Sequence, residues 1–189
     1  MHTVFPRHLN SQRSQAGLTL LGLAIAVALS AVIFAGLAYF VSVIISGNKT
    51  TSAVQDFDAL QSNVQQLYQG NAGGFTNATQ ESLVQAGVVP QPLVSAGNLM
   101  TPFGTQITLQ PSTDGSGTGE NALQVSFPVP QAECTAFTKG VEANFGKVVV
   151  GGSTIKDELV GTAFSAQALS TACGAATGGT ATVELYIVG

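Results

Sequence analysis

The apolar and polar positions change pattern several times along the chain. Residues 1–17 are mostly polar and include His2, Arg7, His8 and Arg13. Residues 18–45 are apolar on every face: 23 of 28 are hydrophobic, the exceptions being Thr19, Gly22, Ser30, Gly36 and Ser42. From 50 to 69 the apolar positions narrow to one stripe. Ala53, Phe57, Leu60, Val64 and Leu67 recur at steps of four, three, four and three. That period predicts an amphipathic helix continuing from the apolar block. The run Gly70-Asn71-Ala72-Gly73-Gly74 ends it.

The remainder, 70–189, mixes short periods of both kinds. A short helix is predicted over 79–86, then an irregular connection through Pro90, Pro92, Gly97, Pro102 and Gly104. Residues 105–110 alternate as a strand, 111–119 form a turn-rich loop, and 122–127 form a second strand with Leu123, Val125 and Phe127 on one face. The two strands read as a hairpin. Pro130 suits the opening of a helix that places Cys134, Phe137, Val141 and Phe145 on one face. A strand over 147–150, a helix over 164–173 and a closing strand over 182–188 follow.

The apolar block would make a helix of about 42 Å against about 30 Å of hydrocarbon, enough to span a bilayer. The short basic leader before it directs the N-terminus to the cytoplasm and the rest outward, where a disulfide persists. Ala28-Leu29-Ser30 has the form of a signal-peptide cleavage site, but the apolar run continues for 15 residues beyond it. A retained segment fits better than a secretory signal.

Composition sharpens this division. The chain of 189 residues is 45% hydrophobic but only 8% charged, with a net charge of −4. Six Lys and Arg in an acidic chain build no basic face, so nucleic acid is excluded as a partner. Outside 18–45 about 38% of residues are hydrophobic, which suits an ordinary foldable domain.

The absences bear on chemistry. With no histidine after His8, a Ser-His-Asp or Cys-His arrangement is missing from 18–189. Two cysteines without histidine make a poor zinc site, and no phosphate-binding loop is present. Asp157-Glu158 reads as a solvated turn. The 112–120 loop, with Asp114, Ser116, Thr118 and Gly119, resembles the start of a calcium loop, but its twelfth position is Val125 instead of a bidentate Glu. It reads as a flexible hairpin loop. No catalytic residue, metal or cofactor is expected, and the chain is not expected to be an enzyme. Cys134 and Cys173 stand on two predicted helices; a disulfide is the natural reading in an exported domain, the alternative being two separately buried thiols.

The boundary Gly17-Leu18-Thr19-Leu20-Leu21-Gly22-Leu23 resembles a type IV prepilin processing site. Further on, Val129-Pro130-Gln131-Ala132-Glu133-Cys134, then Val148-Val149-Val150 and Ala172-Cys173 before a final strand are similar to the type IVb thin-pilus (PilS-like) pilins. The resemblance implies an α+β pilin fold: a long N-terminal helix packed on an antiparallel sheet head, with a C-terminal disulfide loop. It implies a leader, 1–17, cut after Gly17 by prepilin peptidase, with methylation of the new N-terminus, Leu18. Residues 18–45 then form the membrane and filament-core helix, 46–69 its amphipathic continuation and 70–189 the head.

The implied partners are further copies of the chain in a helical filament and the assembly machinery of the inner membrane, with an extracellular pilus as the end state. Adhesion or conjugative mating are the implied uses. The family usually has Glu at the fifth mature position, and here that position is Gly22. Small residues offer a substitute: Gly22, Ala26 and Ser30 form one row, and Ala31, Ala35, Ala38 and Ser42 another, and such rows let helices approach closely in lipid. The competing readings are a minor pilin, a pseudopilin of a type II secretion system, and an anchored periplasmic binding domain unrelated to pili.

Overall fold

The computed structural model describes residues 18–70, 74–113 and 121–188. The leader with Gly17, and positions 114–120 of the calcium-like loop, lie outside the described residues. The chain divides into two compact units, Met1–Ile44 and Ile45–Gly189.

Helix α1, Leu18–Tyr68, contributes to both. It has no proline, and its end is marked by Gly70 in the left-handed region (φ +81°), a backbone suited to glycine. In the first unit the described side chains of α1 are those of 22–37 and 44, and Ser30 alone among them is half-buried. Among the described residues no helix is long and apolar enough to cross a membrane. The apolar run over 18–45 lies within α1.

In the second unit, Ala53, Phe57, Leu60 and Val64 of α1 are all buried, as the stripe predicts, whereas Leu67 is exposed. The short helix expected over 79–86 is present, and the connection after it, read as irregular, has more order than expected. Helix α2, Gln80–Gln85, starts from a reciprocal cap between Thr79 and Ser82. Strands β1, Val94–Ser95, and β2, Asn98–Leu99, pair across Ala96-Gly97. Both turn residues have positive φ, as a two-residue hairpin turn of the right twist requires. The buried Thr101 hydroxyl accepts from the amides of Phe103 and Thr105, and Thr105 Oγ1 donates to the Pro128 carbonyl at 2.7 Å. The connection is thereby tied to the sheet.

The sheet has five antiparallel strands in the order β3-β4-β7-β5-β6. Strands β3, Thr108–Ser112, and β4, Ala122–Pro130, form the expected hairpin, although β3 begins three residues later than the alternation suggests. Helix α3, Gln131–Val141, starts after Pro130 and leads to β5, Lys147–Val150. Strand β6, Ser153–Asp157, is not apparent from the sequence; it pairs with β5 through a register shift between Val148 and Val149. Helix α4, Ala166–Gly174, is capped by the Ser165 side chain, and β7, Thr180–Val188, fills the centre of the sheet.

An aromatic cluster binds these layers. Phe57 of α1 stacks on Phe127 of β4 with ring centroids 4.5 Å apart. Phe137 of α3 meets both rings edge-on, and Phe103 packs edge-on against Phe137. Four segments of the chain thus share one core, and each aromatic pair adds about 0.5–1.5 kcal/mol beyond burial.

Candidate functional site

The residues singled out from the sequence fall in separate places. Leu18 opens α1. Gly22 and Ala26 are exposed in the first unit, and Ser30 is half-buried, its hydroxyl donating to the Val27 carbonyl at 2.9 Å. A Cβ built on Gly22 meets nothing within 4 Å. Around this row the apolar side chains stand open: Val32 and Phe34 are each 71% exposed, and Leu23, Ile25, Val27, Leu29, Ile33 and Leu37 are exposed too. At about 100° per residue they point to all sides of the helix. A continuous apolar surface of this kind marks an interaction site. Each such side chain contributes about 1.5–3 kcal/mol once fully buried.

Cys134 of α3 and Cys173 of α4 form a disulfide with Cα atoms 5.8 Å apart, and both residues are buried. Of the two readings of these cysteines, the bridge is the one realised. It ties α3 to α4 across a separation of 39 residues.

Two polar features were not evident from the sequence. The first is Lys156. Its ammonium donates to the Glu142 carbonyl at 2.7 Å and the Phe145 carbonyl at 3.1 Å, and pairs with Glu158 at 2.7 Å. It therefore satisfies the carbonyl of the α3 C-cap Glu142 and that of Phe145 in the turn beyond it, and holds β6 against that helix end. The second is a row across the whole sheet: Gln110, Gln124, Tyr186, Lys147 and Asp157 are successive register partners. Gln110 donates to Gln124 at 2.7 Å, and Gln124 and the Tyr186 hydroxyl both donate to Glu184, at 2.9 and 3.1 Å. Lys147 lies 5.4 Å above the Tyr186 ring and pairs with Asp157 at 3.0 Å. The Asp157-Glu158 pair, expected to be a solvated turn, instead supplies two partners for lysines, and Asp157 is buried.

No cluster of three or more metal-ligating side chains occurs among the described residues. The features present are a bare apolar helix and a head stapled by a disulfide and by polar cross-links. Residues 47–188 match the family described as PilS N terminal. The chain belongs to the PilS family of type IVb pilins.

The solved structures agree on the fold. The type IVb pilin from Salmonella typhi is similar with a TM-score of 0.57 and 23% identity, covering 74% of this chain and 99% of that one. TcpA, a type IV pilin from Vibrio cholerae El Tor biotype, has a TM-score of 0.55 and 20% identity, covering 74% and 98%. No curated protein matches the sequence. The matched proteins are pilins, which are structural proteins. In this pilin the α+β architecture, antiparallel sheet and C-terminal disulfide are those the resemblance implied.

Proposed function

We propose that this pilin is the polymerising subunit of a type IV pilus, assembled through residues 18–45. The observation that carries the reading is the ring of exposed apolar side chains over 22–37 on the N-terminal helix of this pilin. In this reading prepilin peptidase removes 1–17 between Gly17 and Leu18. The run 18–45 holds the subunit in the inner membrane and then packs against its copies in the filament core. Gly22, Ala26 and Ser30 let neighbouring helices approach closely where the family's usual Glu is missing. The head faces outward in an extracellular filament used for adhesion or conjugative mating.

Two measurements test this. N-terminal sequencing of the mature chain should find methylated Leu18, and a chain starting at Ala31 would overturn the processing step. Electron microscopy of cells producing the chain with its assembly machinery should show surface filaments that shear off as this subunit. Processed subunits that stay in the membrane without filaments would favour the pseudopilin or minor-pilin reading.

A further inference from the structure

Outside the apolar block, large apolar side chains stand exposed at three of the described positions: Leu67, Leu159 and Val160. Leu159 and Val160 sit together on the four-residue loop 158–161 that follows β6, and Val160 is 67% exposed. The loop is pinned at its base. Asp157 and Thr162 exchange backbone hydrogen bonds of 2.9 and 2.7 Å, and the Glu158 amide donates to the Gly146 carbonyl at 2.9 Å. The Leu159 amide donates to Asp157 Oδ1 at 3.2 Å. This small apolar knob is ordered before anything meets it, so little conformational freedom is lost on contact.

Leu67, which the stripe of α1 would bury, instead lines a shallow hollow of about 350 Å³ with Asn63, Gln66, Gly87 and Val88. The hollow is fixed as well. Asn63 Nδ2 donates to the Val88 carbonyl at 2.9 Å, which holds the turn after α2 against α1.

Knob and hollow lie at one end of the head but on opposite flanks. Gln65 of α1 donates to the Val188 carbonyl, and Gly146, at the root of the knob, packs on the Val188 side chain. The knob follows β6, the last strand at one edge of the sheet, whereas α2 lies beside β3 at the other edge. A single neighbour therefore cannot engage both patches. Each copy would offer its knob to one neighbour and its hollow to another, a contact that repeats without closing on a two-fold axis.

Resting on the filament reading above, we propose that Leu159 and Val160 of each head seat in the Leu67 hollow of the adjacent copy. The contact covers all three exposed apolar side chains of the head and ties the heads to one another outside the helical core. The larger hollow beside α4 is not the seat. Its walls carry the hydroxyls of Ser153, Thr177 and Thr182, which an apolar knob would strip of water without replacing their hydrogen bonds.

Cysteine cross-linking of sheared filaments tests the contact. Filaments of the Leu67→Cys, Val160→Cys double variant, treated with a short bismaleimide, should run as a ladder of dimers, trimers and longer species. Each single variant should stay monomeric. Filaments of the double variant that give no ladder would refute the contact, and dimers from Val160→Cys alone would replace it with a two-fold one.

Val160→Asp should cut filament yield about tenfold while processed, disulfide-bonded subunit accumulates. An unchanged yield would count against the knob. Should a variant fail to accumulate, hydrogen exchange on wild-type filaments decides. Amides of 159–161 and of 87–88 should exchange about tenfold more slowly in filaments than in detergent-solubilised subunits. Equal exchange at either patch overturns the proposal and leaves the knob free for a partner other than this chain. Absence of filaments from the wild-type chain would instead overturn the filament reading itself.

Discussion

Gly140 of α3 packs directly on Val54 of α1: a Cβ added at Gly140 would lie 2.6 Å from Val54 Cγ2. The missing side chain is what lets the two helices meet at this level. Helix propensity alone favours alanine over glycine by about 1 kcal/mol. Contact with a stiff β-branched side chain should reverse that sign. Gly140→Ala is expected to lower the thermal midpoint, and Gly140→Ala combined with Val54→Ala to recover the propensity gain. Thermal melts of both singles and the double give the coupling; additive effects would rule out the contact as the cause.

The Cys134–Cys173 bridge closes about 40 residues, and chain entropy assigns it about 4 kcal/mol. Replacing both cysteines by serine should lower the midpoint of the head by roughly 10–15 °C. A melt with and without reductant checks this, because only the wild type should respond to reductant.

Tyr186 connects stability to alkaline pH. Burial, the Glu184 charge, the hydrogen bond to Glu184 and the Asp157 charge together push its phenol from the ordinary 10.0 up to about 12. Above pH 10 the unfolded chain releases this proton while the folded head keeps it. The contribution to stability is therefore complete below about pH 10 and is lost as pH rises through about 12. Phenolate absorbance should show a late-titrating step for the head, and Tyr186→Phe should remove it.

Gly22→Leu separates assembly from folding. A side chain there meets nothing within 4 Å in the isolated subunit, so folding and cleavage after Gly17 should be unchanged. In a filament packed through Gly22, Ala26 and Ser30, the added volume should abolish polymerisation. Processed subunit on a gel together with filaments by electron microscopy gives both readouts. Normal filaments from this variant would remove small-residue packing as the assembly device.

The reach of the sequence differs from element to element. Ala53, Phe57, Leu60 and Val64 were readable as one buried face because a helix repeats its contacts every three or four residues. Leu123, Val125 and Phe127 were readable because a strand alternates. Strand β6 was not. Ser153-Thr154-Ile155-Lys156-Asp157 has one apolar residue, and its place in the sheet comes from β5 pairing and the bonds of Lys156. The Ala96-Gly97 turn was hidden for a similar reason: alanine gives no sign of a left-handed backbone until its neighbours impose one.

By itself the sequence determined the properties that depend on neighbours in the chain. These are the apolar block, the amphipathic stripe and the proline that opens α3. The tertiary structure decided what depends on distance in space. It joined Cys134 to Cys173, stacked Phe57 on Phe127, placed Gly140 against Val54 and lined up Gln110, Gln124, Tyr186, Lys147 and Asp157 across five strands. Local periodicity follows from the geometry of a single helix or strand, whereas strand order and register follow from which surfaces are buried together.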